Sequence, residues 1–196
     1  MENLADFGSV VLQCWPVWLV TIVLILAAVI DGVALKVPNW ITFPLVISGW
    51  IYSAAFAGAQ DMVWYEGLGW SLFGTAVGLG LLLPAYAVGG MGAGDVKLLA
   101  GVGAWMHGKH TFYAFCVSAV AGAAIAIGMA VYRKALRKHV NQFWMILGEI
   151  LVIRNPSELA TIAAERKSSM LLLPYGIPIA IGTIGYFVWA GLFLGA

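Results

Sequence analysis

Charge is what this chain of 196 residues has least of: Asp, Glu, Lys and Arg together make up 10% of it, against roughly 25% in an ordinary soluble domain. Ten basic and nine acidic side chains cannot cover a water-facing exterior, so a large soluble domain is excluded. The formal net charge of +1 also removes the electrostatic footprint of a nucleic-acid binder. Cysteine is nearly missing. Cys14 and Cys116 both lie in apolar stretches, and neither forms a CxxC pair, which excludes a cysteine-built zinc module. Two arrangements of these thiols stay open: both free, or bridged if both stand near the outer face. A basic n-region is lacking as well. Met1 to Asp6 is acidic, so the first apolar run reads as a retained span rather than a removable signal peptide.

What the chain does have is apolar surface: 62% hydrophobic residues and nine Trp, with a mean hydropathy of +0.95. Such an exterior meets lipid. Apolar runs at about Val10–Ile30, Ile41–Gly58, Gly69–Ala87, Thr111–Tyr132 and Leu171–Leu194 read as helices. Between the third and fourth lies Val96–Met106, only 11 residues where a span needs about 17 to 25. Charge distribution keeps it. If this short segment crosses and the N-terminus is outside, nine of the ten basic residues fall on the cytoplasmic side and Lys109 stands alone on the other. Without it, Lys36, Lys97 and Lys109 are all misplaced. The expectation is therefore an all-α polytopic membrane protein with six transmembrane helices, the fourth short and sheltered by the others, and both termini extracytoplasmic. The whole chain, 1–196, reads as one domain. Its polar insertion at about 133–169 reads as an interfacial cytoplasmic segment lying on the lipid bilayer. Gly74 and Gly78 in the third span, and Gly122, Ala126 and Gly128 in the fifth, offer smooth faces for close helix packing.

Two acids do not fit a solvated loop. Asp31 ends the first apolar run, and Asp95 opens the short fourth segment in Gly92-Ala93-Gly94-Asp95. The six-span topology puts both at the cytoplasmic boundary. A carboxylate at that depth is costly unless paired, hydrated or protonated, and intramembrane ionisable groups usually mark a site or a pathway. Either acid alone could cap a helix or reach water. Both together, one behind a glycine-rich turn, point to chemistry. Gly92 and Gly94 are expected to supply backbone conformations barred to other residues and to leave room for a peptide around Asp95. Two carboxyls a few ångströms apart share a proton, so one polarises a water and the other supports and then protonates the reacting group. No metal and no other cofactor is required.

Three local patterns carry a family resemblance. Asp31 is followed after seven and eight residues by Pro38 and Asn39; Gly92-Ala93-Gly94-Asp95 continues into Val96-Lys97; and Pro174-Tyr175-Gly176 precedes the last apolar run. In these the chain resembles the membrane aspartic peptidases of the GxGD class, and within it the type IV prepilin peptidases. The resemblance implies that Asp31 and Asp95 are the catalytic pair, with Gly92, Ala93 and Gly94 as the active-site loop. Lys36, Pro38, Asn39, Lys97, Pro174, Tyr175 and Gly176 are possible cleft or substrate contacts. Bland readings stand beside these. Pro38-Asn39 also suits a turn that caps the second helix. Pro174 and Pro178 also suit a helix start or kink, and Lys97 also suits a positive-inside charge. His107, His110 and His139 share no ligand spacing and read as solvated side chains.

Larger members of that family carry paired CxxC motifs linked to methylation of the new pilin N-terminus, and none precedes Asp31 here. Methyltransferase activity is therefore not expected. What remains resembles the short members that process Flp-type pilins of tight-adherence systems, and more distantly the archaeal preflagellin peptidases. The resemblance implies an aspartic endopeptidase of the bacterial cytoplasmic (inner) membrane. Its partner would be a prepilin or pilin-like precursor with a class III signal peptide, cut after glycine at the cytoplasmic face. A non-enzymatic transporter or proton-pathway subunit is the rival from another class. A GxGD intramembrane protease acting on a different substrate is the rival within it.

Overall fold

The computed structural model describes residues 14–60, 62–87, 90–132, 145, 148 and 174–194. The insertion at 133–169 and His139 lie almost wholly or wholly outside the described residues. Every regular element among those described is helical: α1 (Trp15–Ala34), α2 (Asn39–Ala55), a 3₁₀ turn (Ala57–Gln60), α3 (Trp64–Ala87), α4 (Ala93–Tyr132) and α5 (Gly176–Trp189). Helix is what an apolar chain must form in lipid, because each backbone N–H and C=O is then satisfied within its own segment. Three of the helices, α1, α3 and α4, are long and apolar enough to cross a membrane. Large apolar side chains such as Ile22, Val29, Ile47, Phe73 and Val120 stand on the outside.

Boundaries follow local chemistry. Pro16 sits in the first turn of α1, where its missing N–H costs nothing. The helix stops at Leu35, whose left-handed backbone (φ 51°, ψ 34°) returns its N–H to the Asp31 carbonyl at 2.8 Å. Asp31 therefore lies inside the last turn of α1 rather than at its end. Pro38, extended at φ −77°, opens α2, as the turn-and-cap reading of Pro38-Asn39 requires.

The largest departure from the sequence reading is α4. The short fourth segment and the fifth run are not separated by a loop; they join through His107, the one residue of α4 with non-helical backbone (φ 61°, ψ 178°). That conformation is almost reserved for glycine and costs about 1–3 kcal/mol in a residue with a side chain. Its surroundings hold it. The Thr111 hydroxyl donates to the His107 carbonyl at 2.6 Å, and the His107 imidazole Nε2 lies 3.3 Å from Ser53 Oγ. At this break the chain doubles back, so Phe115 beyond it lines the same cavity as Leu99 before it. His110 is likewise engaged, its Nδ1 2.8 Å from the Tyr186 hydroxyl. His107 and His110 are thus half-buried members of polar pairs, not solvated side chains. Sequence spacing misses this because each partner comes from a distant helix.

The first arm of α4 is the centre of the bundle. Val96 and Leu98 to Met106 are buried throughout, the shelter a segment too short for lipid needs. Glycine makes the approach possible. A Cβ on Gly78 would stand 2.6 Å from the Leu99 carbonyl oxygen, and one on Gly103 would run into the backbone of Gly74. The smooth face read at Gly74 and Gly78 is therefore a backbone-to-backbone contact between α3 and α4. Trp105 closes the other side, its indole N–H donating to the Leu45 carbonyl at 2.9 Å. Cys14 and Cys116 are both free. A testable consequence concerns Gly78. Because both sides of the contact are backbone, Gly78→Val should lower stability by about 3 kcal/mol, the upper end for overpacking. Gly80→Val, where a Cβ meets open space, should cost far less. Thermal unfolding of both variants in detergent measures the difference, and equal midpoints would refute the contact's importance.

Candidate active site

Three chain segments meet at one end of the bundle: the end of α1 with the turn after it, the start of α4, and the start of α5. Asp31 comes from the first. As a residue of the last turn of α1 it faces the negative end of its own helix dipole, an unfavourable place for a carboxylate. The fold compensates by docking it on another helix. Asp31 Oδ2 accepts a hydrogen bond from the Gly176 backbone N–H at 2.7 Å, the first residue of α5, where free N–H groups and a positive dipole end favour an anion. Gly176 has to be glycine for this approach. A Cβ there would lie 2.9 Å from Asp31 Oδ2 and 3.0 Å from Asp31 Cβ.

Asp95 comes from the second segment. It is the third residue of α4, and its Oδ2 accepts the backbone N–H of Gly92 at 3.1 Å, the reciprocal half of a capping box. Glu66 does the same at the start of α3, accepting from Val63 N–H at 3.1 Å. The two caps differ in burial. Glu66 is exposed, whereas Asp95 is only 5% exposed and Asp31 only 3%. Capping needs no such burial, so the cap alone does not account for Asp95.

The third segment brings the two acids to one place. Asp31 is bonded to Gly176, and the Asp95 carboxyl lies within electrostatic reach of the Tyr175 phenol. The first two segments also touch directly, since a Cβ on Gly94 would sit 2.6 Å from the Val37 carbonyl oxygen and 2.9 Å from Val37 Cβ. Close approach, and not an unusual backbone angle, is what the glycine at 94 provides. Among the described residues the only glycine with positive φ is Gly191, so the expected left-handed turn at Gly92 and Gly94 is absent. The helix begins at Ala93, directly after Gly92.

The remaining predicted residues fall around this point. Lys97 Nζ donates to Asn39 Oδ1 at 3.0 Å and stands 4.7 Å from the centre of the Phe43 ring. It therefore clamps the start of α2 to the start of α4, a pairing across 58 residues that spacing could not disclose. Lys36 is exposed in the turn after α1, Pro38 is half-buried behind it, and Ala93 is exposed at the mouth. Pro174 precedes the turn into α5, and Pro178 sits within the first turn of that helix, where it disrupts no hydrogen bond. Both helix-start readings of these prolines hold in the fold. Met91 and the cavity behind it were not singled out by any sequence signal, because an apolar lining residue looks like any other apolar residue until the helices are packed. Among the described residues no group of three His, Cys, Asp or Glu side chains could hold a metal ion.

Residues 18–127 match the type IV leader peptidase family. The match takes in Asp31, Pro38, Asn39 and the whole Gly92 to Lys97 stretch, and leaves Pro174 to Gly176 outside it. No curated protein and no solved structure matches the chain. Since the family covers more than half of the sequence and two of the three segments that meet at this end of the bundle, the chain belongs to the type IV leader peptidase family, a family of membrane proteases.

Proposed function

We propose that the chain is an aspartic endopeptidase that removes the short basic leader from Flp-like type IV prepilins, precursors with a class III signal peptide. It cuts after a glycine at the cytoplasmic face of the bacterial inner membrane. The observation that carries this reading is that two buried carboxyls stand on segments that touch: Asp31 bonds Gly176 at the start of α5, and Gly94, beside Asp95, packs on Val37 in the turn after α1. In this reading α1, α2, α3, both arms of α4, and α5 each cross the bilayer, with the aspartates at the cytoplasmic ends.

The chemistry follows from two acids sharing one proton. The ionised carboxyl takes a proton from water as that water attacks the scissile carbonyl carbon; the protonated one donates a hydrogen bond to the developing oxyanion. That proton then passes to the leaving amine, and the pair returns to its starting state. The Gly176 N–H on Asp31 and the Gly92 N–H on Asp95 hold each carboxyl in a fixed orientation, which is how an apolar site avoids the cost of reorganising around charge. A basic leader stays in water beside the site while the apolar segment that follows it enters the bilayer among the helices.

Co-expression with an Flp-like precursor, followed by mass measurement of the product's N-terminus, tests the reading. The expected product has lost its leader, begins immediately after the glycine and carries a free amine. An intact precursor in cells that contain the inserted wild-type protein would overturn it.

A further inference from the structure

A cavity of about 310 Å³ opens between α3, α4 and α5, and two of its lining residues, Met91 and Tyr175, adjoin the turns that hold the aspartates. Met91, directly before the Gly92–Asp95 cap, and Tyr175, directly before the Asp31 ligand Gly176, form its near end. From there Leu82, Phe115, Ala126 and Ile179 continue it along the bundle. Only two of its lining side chains, Ser118 and Tyr175, carry a hydroxyl, and that of Ser118 is already committed to the Ile179 carbonyl at 3.3 Å. The size is at the lower end for ligand pockets, enough for a large apolar side chain or two and too narrow for a whole helix.

We propose that this cavity is the specificity pocket for the first apolar side chain on the C-terminal side of the scissile bond. The inference rests on the peptidase reading above and adds which part of the substrate is selected, and by which wall. The occupant is identified by continuity. Met91 and Tyr175, which line the cavity, are the chain neighbours of the two glycines that bind Asp95 and Asp31, so a peptide bond held at these acids brings its next side chain to the cavity mouth. A polar or charged side chain there would lose its hydration with nothing to replace it. The pocket is tuned for volume by Ala123 and Ala126, two small residues of α4 on its outer wall.

Ala123 and Ala124 are both exposed on the same turn of α4, yet only Ala123 lines the cavity. Ala123→Phe therefore fills the pocket from an outer position without forcing the core apart, and Ala124→Phe is its control. The probes are two synthetic precursors with a basic leader ending in glycine, followed by an apolar stretch that begins with Leu in one and with Ala in the other. The wild-type protein in detergent is expected to prefer the Leu precursor by at least about tenfold in kcat/KM, the lower end for a single methylene in an apolar pocket. Ala123→Phe is expected to lose that preference, by a rise in KM for the Leu precursor to about the value for the Ala precursor. Ala124→Phe should keep the preference. The inference is overturned if Ala123→Phe retains the full preference, or if it expels a co-purifying phospholipid and leaves both cleavage rates unchanged. Failure of the wild type to cleave either precursor would instead overturn the peptidase reading itself.

Discussion

Replacing Asp31 or Asp95 by Asn leaves the protein inserted and drops precursor cleavage by at least about a thousandfold, within the range that a positioned acid or base supplies. Asparagine keeps the shape of the side chain, and its carbonyl oxygen can still accept from Gly176 N–H or Gly92 N–H. The fold at these two anchors therefore survives while the proton-carrying function does not. The double variant should be no slower than either single one, because a pair that works by sharing a proton is already broken when one member is lost. Cleavage of a co-expressed precursor, read by its mass, and the thermal midpoint of the purified variants are the two measurements. Full cleavage by either variant would remove that aspartate from the chemistry.

Adding one methyl group at Gly176 is the second large effect. In Gly176→Ala the new Cβ lies 2.9 Å from Asp31 Oδ2 and 3.0 Å from Asp31 Cβ, so the carboxyl or the start of α5 must move. A misplacement of about 1 Å at a reacting group costs about a hundredfold, which sets the upper end of the expected loss. The loss should appear in kcat, since no atom on the apolar wall where the substrate would bind is altered. Gly32→Ala, one residue from Asp31 in α1, is the comparison: its Cβ meets only the Ile177 side chain at an ordinary 3.5 Å. It should cleave within a few-fold of the wild-type rate. If the two alanine variants behave alike, the tight fit between Asp31 and Gly176 carries no catalytic geometry.

The readable part of this protein is whatever depends on local composition. Apolar runs are visible in the sequence because lipid exposure and helix burial both demand them, and α1, α2, α3 and α5 all lie on runs found that way. The two acids stand out for the same reason: carboxylates beside apolar runs are rare enough to be conspicuous. The histidines show the opposite case. His107 and His110 looked like boundary residues with nothing to bind, yet one meets Ser53 and the other Tyr186. Each partner is more than fifty residues away, and no periodicity within a helix encodes such a pair.

Sequence by itself determined that the described residues form helices, several of them long and apolar enough to cross a membrane, and it marked Asp31 and Asp95 as the residues to explain, because single-residue transfer costs and run lengths are local quantities. Only the tertiary structure decided what surrounds them. It joined the short segment to its successor through a strained His107, turned Gly94 and Gly176 into contact points rather than turn formers, paired Lys97 with Asn39, and opened an apolar cavity beside Tyr175. The physical reason is that close packing is a property of two surfaces at once: a glycine, a lysine or a methionine has no fixed role until the helix opposite it is in place.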